Sequence, residues 1–166
     1  MIRAVLVINN NGKPRLLKFY EYTREDRQQE IIKECYNLVT KRGDELCKFV
    51  ECDNLFEEET LVVYRKYATL FFIFCVDKAE SELGIIDLIQ VFVETLDKYF
   101  ENVCELDIIF HMDKVNYILD EIVVGGLVME PNNADVLAAL AATKREEHGY
   151  RPSTLPAISR IMPAPR

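Results

Sequence analysis

Two histidines, five cysteines and a few close-set carboxylates are the side chains in this 166-residue sequence whose types suit chemistry. His111 is followed two residues later by Asp113, a spacing that a helix turns to different sides. His148 has no metal-ligand pattern around it, so both histidines read as structural or solvent-facing rather than catalytic. Cys35, Cys47, Cys52, Cys75 and Cys104 are odd in number and form no C-x-x-C pair. Cys35, Cys75 and Cys104 fall in apolar periodic segments and are expected to be buried, reduced thiols. The carboxylates of Glu57, Glu58 and Glu59 read as a solvated loop, and Glu105 and Asp107 flank Leu106 so that a helix would make them diverge. Asn11, Gly12 and Lys13 lack phosphate-loop spacing, and G-x-S-x-G, G-x-G-x-x-G and H-E-x-x-H patterns are absent. The expectation is a protein that is not an enzyme and uses no metal or cofactor.

Charge carries more information. The chain is acidic overall, with net charge -8 and a pI near 4.9. That argues against nucleic acid as a partner and makes any membrane contact indirect. Lys13, Arg15 and Lys18 nevertheless cluster, and Arg65 and Lys66 adjoin an apolar run. Such clusters suit either an acidic partner or a charge-protected edge strand. No stretch reaches the roughly 18 apolar residues of a membrane span, and the N-terminal apolar run is too short for a signal peptide, so a cytoplasmic location is expected.

These residues must be positioned by the stretch 64–107, around which the chain is organised. Residues 68–76 form an apolar, Phe-rich run without Gly or Pro, which predicts a strand buried on both faces. Residues 81–100 predict a long helix with Ser81 as its cap. Leu83, Ile86, Ile89, Val93, Leu96 and Phe100 form one stripe, and Ile85, Leu88, Phe92 and Tyr99 a second. Two stripes require cover from two sides, one by the sheet and one by other helices or another protein.

Upstream, residues 1–8 and 15–20 predict a hairpin around the Asn9–Gly12 turn, with Pro14 opening the second strand. A helix over 24–41 follows, with Thr23 as N-cap, an apolar stripe of Ile31, Ile32, Cys35, Leu38 and Val39, and Gly43 as left-handed stop. Residues 46–52 predict a strand, 53–60 an acidic loop and 61–67 another strand. Downstream, a helix from Met112 carries Val115, Ile118, Leu119, Ile122 and Val123, ends at Gly125 and Gly126, and is followed by a last helix to about residue 147. Residues 149–166 hold four prolines and three arginines and are expected to be a disordered tail. Tight turns between strands imply antiparallel pairing. The fold class is therefore α+β: about five antiparallel strands with helices on both faces, in one domain over 1–148.

Several blocks are similar to a known family: MIRAVLVINNNGKPRLLKFY, YRKYATLFFIFCVD, LIQVFVETLDKYFENVCELD and HMDKVNYILDEIVVGG. Over residues 1–130 they resemble the small (sigma) chain of the heterotetrameric adaptor complexes of vesicle traffic. The Y-R-x-Y-A-x-L-[FY]-F and F-x-N-V-C-E-L-D blocks are the specific part. The wording SELGIIDLIQVFVETLDK and the residues at 53–60 look most like the type-three adaptor.

The resemblance implies a longin-like fold and a place beside a delta-type large chain, with a beta-type large chain and a mu medium chain completing the tetramer. It implies a non-enzymatic role in sorting cargo between endosome or Golgi and lysosome or vacuole, peripheral on those membranes. In related sigma chains a pocket binds acidic dileucine signals in cargo tails. Carried over, the leucines would meet Ala68, Leu70, Val93, Val103 and Ile108, with Asn102 near the peptide backbone and Arg15 facing the acidic residue. Ile108 stands where the family pattern leads one to expect Leu. Leu70, Val93 and Ile108 serve equally as plain core, and Arg15 as a solvated charge. A scaffold subunit without cargo binding, or a longin-domain subunit of another trafficking machine, are the alternatives.

Overall fold

The computed structural model describes residues 1–42, 48–56, 58–129 and 132–149. Its elements in chain order are β1 (Ile2–Asn9), β2 (Pro14–Phe19), α1 (Glu25–Thr40), β3 (Phe49–Phe56), β4 (Glu58–Tyr67), β5 (Leu70–Asp77), α2 (Glu82–Phe100), α3 (Glu105–Phe110), α4 (Met112–Ile122), β6 (Val123–Val124), β7 (Leu127–Val128) and α5 (Asn133–Gly149). Five strands form one sheet in the order β2-β1-β5-β4-β3, and every neighbouring pair is antiparallel. This is the α+β arrangement expected.

β5 is the central strand, and its residues from Leu70 to Val76 are all buried. Strand alternation sends Leu70, Phe72, Phe74 and Val76 to the core shared with α2, α4 and α5. Phe71, Ile73 and Cys75 go to the core under α1. β1 does the same with Val5 and Val7 on one side and Leu6 and Ile8 on the other. A register shift between Ile2 and Ala4 lets Ile2 share the face of Val5, three residues away. A bulge of this kind inserts one residue into the alternation. Helices thus cover both faces, α1 through Ile31, Ile32, Cys35 and Val39.

α2 presents Ile85, Leu88, Ile89, Phe92 and Leu96 inward. Phe92 meets Phe72 edge-on at 6.0 Å, and Phe72 meets Tyr67 at 5.7 Å. Full burial of side chains this size contributes about 1.5–3 kcal/mol each. This inward face joins Ile89 and Leu96 of the first expected stripe to Ile85, Leu88 and Phe92 of the second, while Val93 and Phe100 of the first are half-buried and Leu83 is 72% exposed. Ser81 caps the helix, its hydroxyl accepting the Gly84 amide at 3.3 Å.

Four details differ from the sequence expectations. Thr23 does not cap α1: its hydroxyl donates to the Glu21 carbonyl, and Arg24 takes the cap position with no side-chain capping bond. The acidic stretch is a strand hairpin, with Cys52 opposite Thr60 and Phe56 opposite Glu58. Leu55 and Phe56 bury beneath it, while Glu58 pairs with Arg3 and Glu59 with Lys78. Gly125 and Gly126 do not stop a helix; they turn the β6–β7 hairpin. Cys104 is exposed, because it caps α3 instead of joining the core. Cys35 and Cys75 are buried as expected. Gly43, Cys47 and residues 150–166, which include most of the expected tail, lie outside the described residues.

Candidate functional site

Among the described residues, three that are not glycine take a positive φ: Ala68 at 51°, Glu101 at 54° and Asn102 at 76°. Ala68 and Asn102 are two of the expected site residues. Tyr67 pairs with Leu70, so Ala68 and Thr69 alone connect β4 to β5. A two-residue hairpin loop requires positive φ, which glycine usually supplies. Alanine there carries about 1–2 kcal/mol of strain. Glu101 and Asn102 end α2 by the same conformation, both amides turning back to the Asp97 carbonyl. The Val103 amide then donates to the Asp97 carboxylate at 3.1 Å. Strained backbone of this kind concentrates at functional sites.

Glu105, in the first turn of α3 and three residues after Asn102, bonds to the first of these segments at Thr69. Its Oε1 accepts Arg15 Nε at 2.8 Å and Asn9 Nδ2 at 3.0 Å. Its Oε2 accepts the Thr69 hydroxyl at 3.1 Å. Arg15 and Glu105 are each about a quarter exposed, at 23% and 24%. The Asn9 bond, followed by those from Arg15 and Thr69, holds the Glu105 carboxyl below its usual range. Asp107 is likewise held low, first by the Cys104 amide, which it caps at 2.8 Å.

The apolar residues lie alongside. Leu70 is 6% exposed and Ile108 1%, both in the core shared with α2. Val93 and Val103 are half-buried against that same core, with Tyr67. Tyr67 donates to Gln90 Oε1, which also accepts Arg65 at 2.8 Å. Gln90 passes its amide on to Glu94 at 2.6 Å. This network ties β4 to α2 one turn from Val93.

The structure therefore gathers Arg15 with the Ala68–Thr69 turn through Glu105, and packs Val93 and Val103 on the core that holds Leu70 and Ile108. Ala68 and Asn102 are exposed. Among the described residues, surface cavities also lie elsewhere. One of about 470 Å³ is bounded by Arg3, Arg27, Phe56 and neighbours, and one of about 240 Å³ by the start of α2 and Val128. Of the other basic residues, Lys18 pairs with Asp120 at 2.8 Å, and Lys66 lies 5.5 Å over the Phe71 ring. His111 stacks on Phe100 at 5.7 Å. No group of side chains suited to holding a metal ion occurs among the described residues. Sequence reasoning missed Glu105, setting it aside as one of a diverging pair. The available signal was its place between Val103 and Ile108.

The family described as clathrin adaptor complex small chain matches residues 1–147. The chain is 57% identical over 155 residues to the AP-3 complex subunit sigma of Dictyostelium discoideum, covering 92% of this chain and 91% of that one. It is 58% identical over 148 residues to the human AP-3 complex subunit sigma-2, covering 89% and 77%. A chain in a homology model of the full-length AP-3 complex, in a stretched open conformation, superposes with a TM-score of 0.69 at 37% identity. That superposition covers 90% of this chain and 96% of the other.

Proposed function

The chain belongs to the clathrin adaptor complex small chain family, and from that membership we propose that it is the non-enzymatic sigma chain of an AP-3-type vesicle-coat adaptor that helps read acidic dileucine signals. Its partners on this reading are a delta-type large chain, a beta-type large chain and a mu medium chain, with cytosolic cargo tails as ligands. It works as a peripheral component on Golgi and endosomal membranes, in transport to the lysosome or vacuole. No helix among the described residues is long and apolar enough to cross a membrane, which is consistent with a peripheral role.

The observation that carries the cargo reading is the strained Ala68–Thr69 turn bonded through Glu105 to Arg15. On this reading Ala68 leaves room for a leucine, Arg15 faces the acidic residue, Leu70, Val93, Val103 and Ile108 form the apolar wall, and Asn102 meets the peptide backbone. Two leucines buried there contribute about 1.5–3 kcal/mol each. Ordering a flexible tail offsets much of that, so micromolar or weaker binding is expected, with avidity supplied by clustering on a membrane.

The test is to co-express the chain with its adaptor partners and titrate the purified complex with a fluorescent acidic-dileucine peptide. Saturable binding is expected. It is lost in Val93→Asp and in peptides with Leu→Ser, and weakened in Arg15→Glu, while tyrosine-based signals read by another chain are untouched. A stable complex that binds no peptide, or equal loss of both signals, would overturn the assignment. The near-complete burial of Leu70 and Ile108 favours a second reading in that event, a scaffold subunit without cargo binding.

A further inference from the structure

Arg15 does not wait for a ligand with its charge free. Its guanidinium already meets a carboxylate of the same chain, Glu105, at 2.8 Å. We propose that Glu105 is a resident counter-ion that competes with the acidic residue of an incoming peptide for Arg15, and so sets how strongly the site prefers acidic over neutral signals. The inference rests on the peptide-binding reading above.

Three features carry it. A guanidinium is always charged, so Arg15 presents the same charge to Glu105 in the empty site and to a peptide carboxylate in the occupied one. With Glu105 in place the pair is neutral, and a second carboxylate approaching Arg15 meets the field of the first at close range. Like charges that near each other disfavour one another. The exchange is also open to Glu105 without leaving it unsatisfied. When Arg15 turns to a peptide, Asn9 Nδ2 at 3.0 Å and the Thr69 hydroxyl at 3.1 Å still donate to the carboxylate. A carboxylate held by Arg15 alone would lose its one partner and resist release. Here one of three bonds opens, on a side chain that is 24% exposed and reachable from solvent. Because Thr69 lies beside Ala68 in the turn, Glu105 stays anchored on the wall of the site while Arg15 changes partner.

The charge is removed with the least change of shape by Glu105→Gln, whose one side-chain oxygen can still accept from Asn9 while its amide nitrogen donates to the Thr69 hydroxyl. In the assembled complex, two peptides are titrated: an acidic dileucine peptide, and the same peptide with its acidic residue replaced by Gln. Glu105→Gln is expected to tighten the acidic peptide by about 2- to 5-fold, the upper part of the range of a partly exposed charge pair, and to leave the neutral peptide within about 1.5-fold. In an Arg15→Gln background the Glu105→Gln gain should shrink, because the competition for the guanidinium is gone and only the like-charge repulsion is left to relieve. A purely structural role for Glu105 would move both peptides alike. Glu105→Ala, which removes the carboxylate outright, carries the same expectation if the Gln variant fails to assemble. Wild-type binding of the acidic peptide that is unchanged or weakened by these variants overturns this inference alone. Failure of the wild-type complex to bind either peptide overturns the peptide-binding reading, and this inference with it.

Discussion

Gly126 and its neighbour Gly125 offer a matched pair of substitutions whose difference the structure sets. Both have positive φ, 82° and 57°, in the β6–β7 turn. A Cβ built on Gly126 falls 2.3 Å from the Ile2 carbonyl oxygen and 2.9 Å from Met1 Cγ, whereas one on Gly125 has nothing within 4 Å. An oxygen at 2.3 Å must be moved away, and it belongs to backbone. The Ile2 amide donates to the Gly126 carbonyl at 2.8 Å, so the same displacement breaks that bond and strands the amide of a fully buried residue. For either alanine the left-handed backbone costs about 1–2 kcal/mol, offset by about 0.4–1 kcal/mol from reduced freedom in the unfolded chain. Gly126→Ala adds about 1–3 kcal/mol for the stranded amide. The expected losses are about 2–4 kcal/mol for Gly126→Ala and under about 1.5 kcal/mol for Gly125→Ala. Urea unfolding followed by circular dichroism measures both. Thermal midpoints should follow, at about 2–4 °C per kcal/mol for a chain of this length. Equal losses in the two variants would show that the contact with Ile2 does not hold the turn against β1, and would refute the reasoning.

Two further predictions concern the site. On the proposed cargo reading, Ala68→Leu fills the space kept for a leucine, at an exposed position that already has a left-handed backbone. It should weaken dileucine peptide binding by at least about 10-fold, the burial of one leucine, while leaving stability within about 1 kcal/mol; affinity within 2-fold of wild type in the same titration would count against the site. The depressed Glu105 carboxyl makes a prediction about acid. A carboxyl lower when folded than when unfolded stabilises the fold above its ordinary value of 4.5 and withdraws that support as pH falls through the folded value. An NMR titration of Glu105 should therefore show a midpoint below 4.5, moving upward in Arg15→Gln; a wild-type midpoint at or above 4.5 contradicts the three-donor cluster.

Much of the fold was legible because it rests on periodicity. The β5 run from Leu70 to Val76 has one reading at its length, a strand covered on both sides, and the Ile85, Leu88, Phe92 spacing has one reading as a helix. Errors fell where a local pattern competes with a distant partner. Residues 53–60 look solvated by composition, yet Leu55 and Phe56 find α1, and Glu58 and Glu59 find Arg3 and Lys78. Gly125 and Gly126 fit a helix stop as well as a hairpin turn. Only pairing of Val123 with Val128 distinguishes them. Thr23 has the chemistry of a cap, but the turn after Tyr20 aims its hydroxyl at Glu21.

By itself the sequence determined the α+β class, the five antiparallel strands, the two-sided burial of β5 and the family to which the chain belongs. Each of these depends on residue type at short spacing, or on long blocks matched in order. Tertiary structure alone decided what surrounds Arg15. Asn9, Arg15, Thr69 and Glu105 come from four separate segments and share no spacing that a linear reading can detect. They meet because β1 lies between β2 and β5 and because α2 ends in two left-handed residues that swing α3 over the β4–β5 turn. The same chain reversal lets Glu105, on the first turn of a short helix, face a guanidinium 90 residues away.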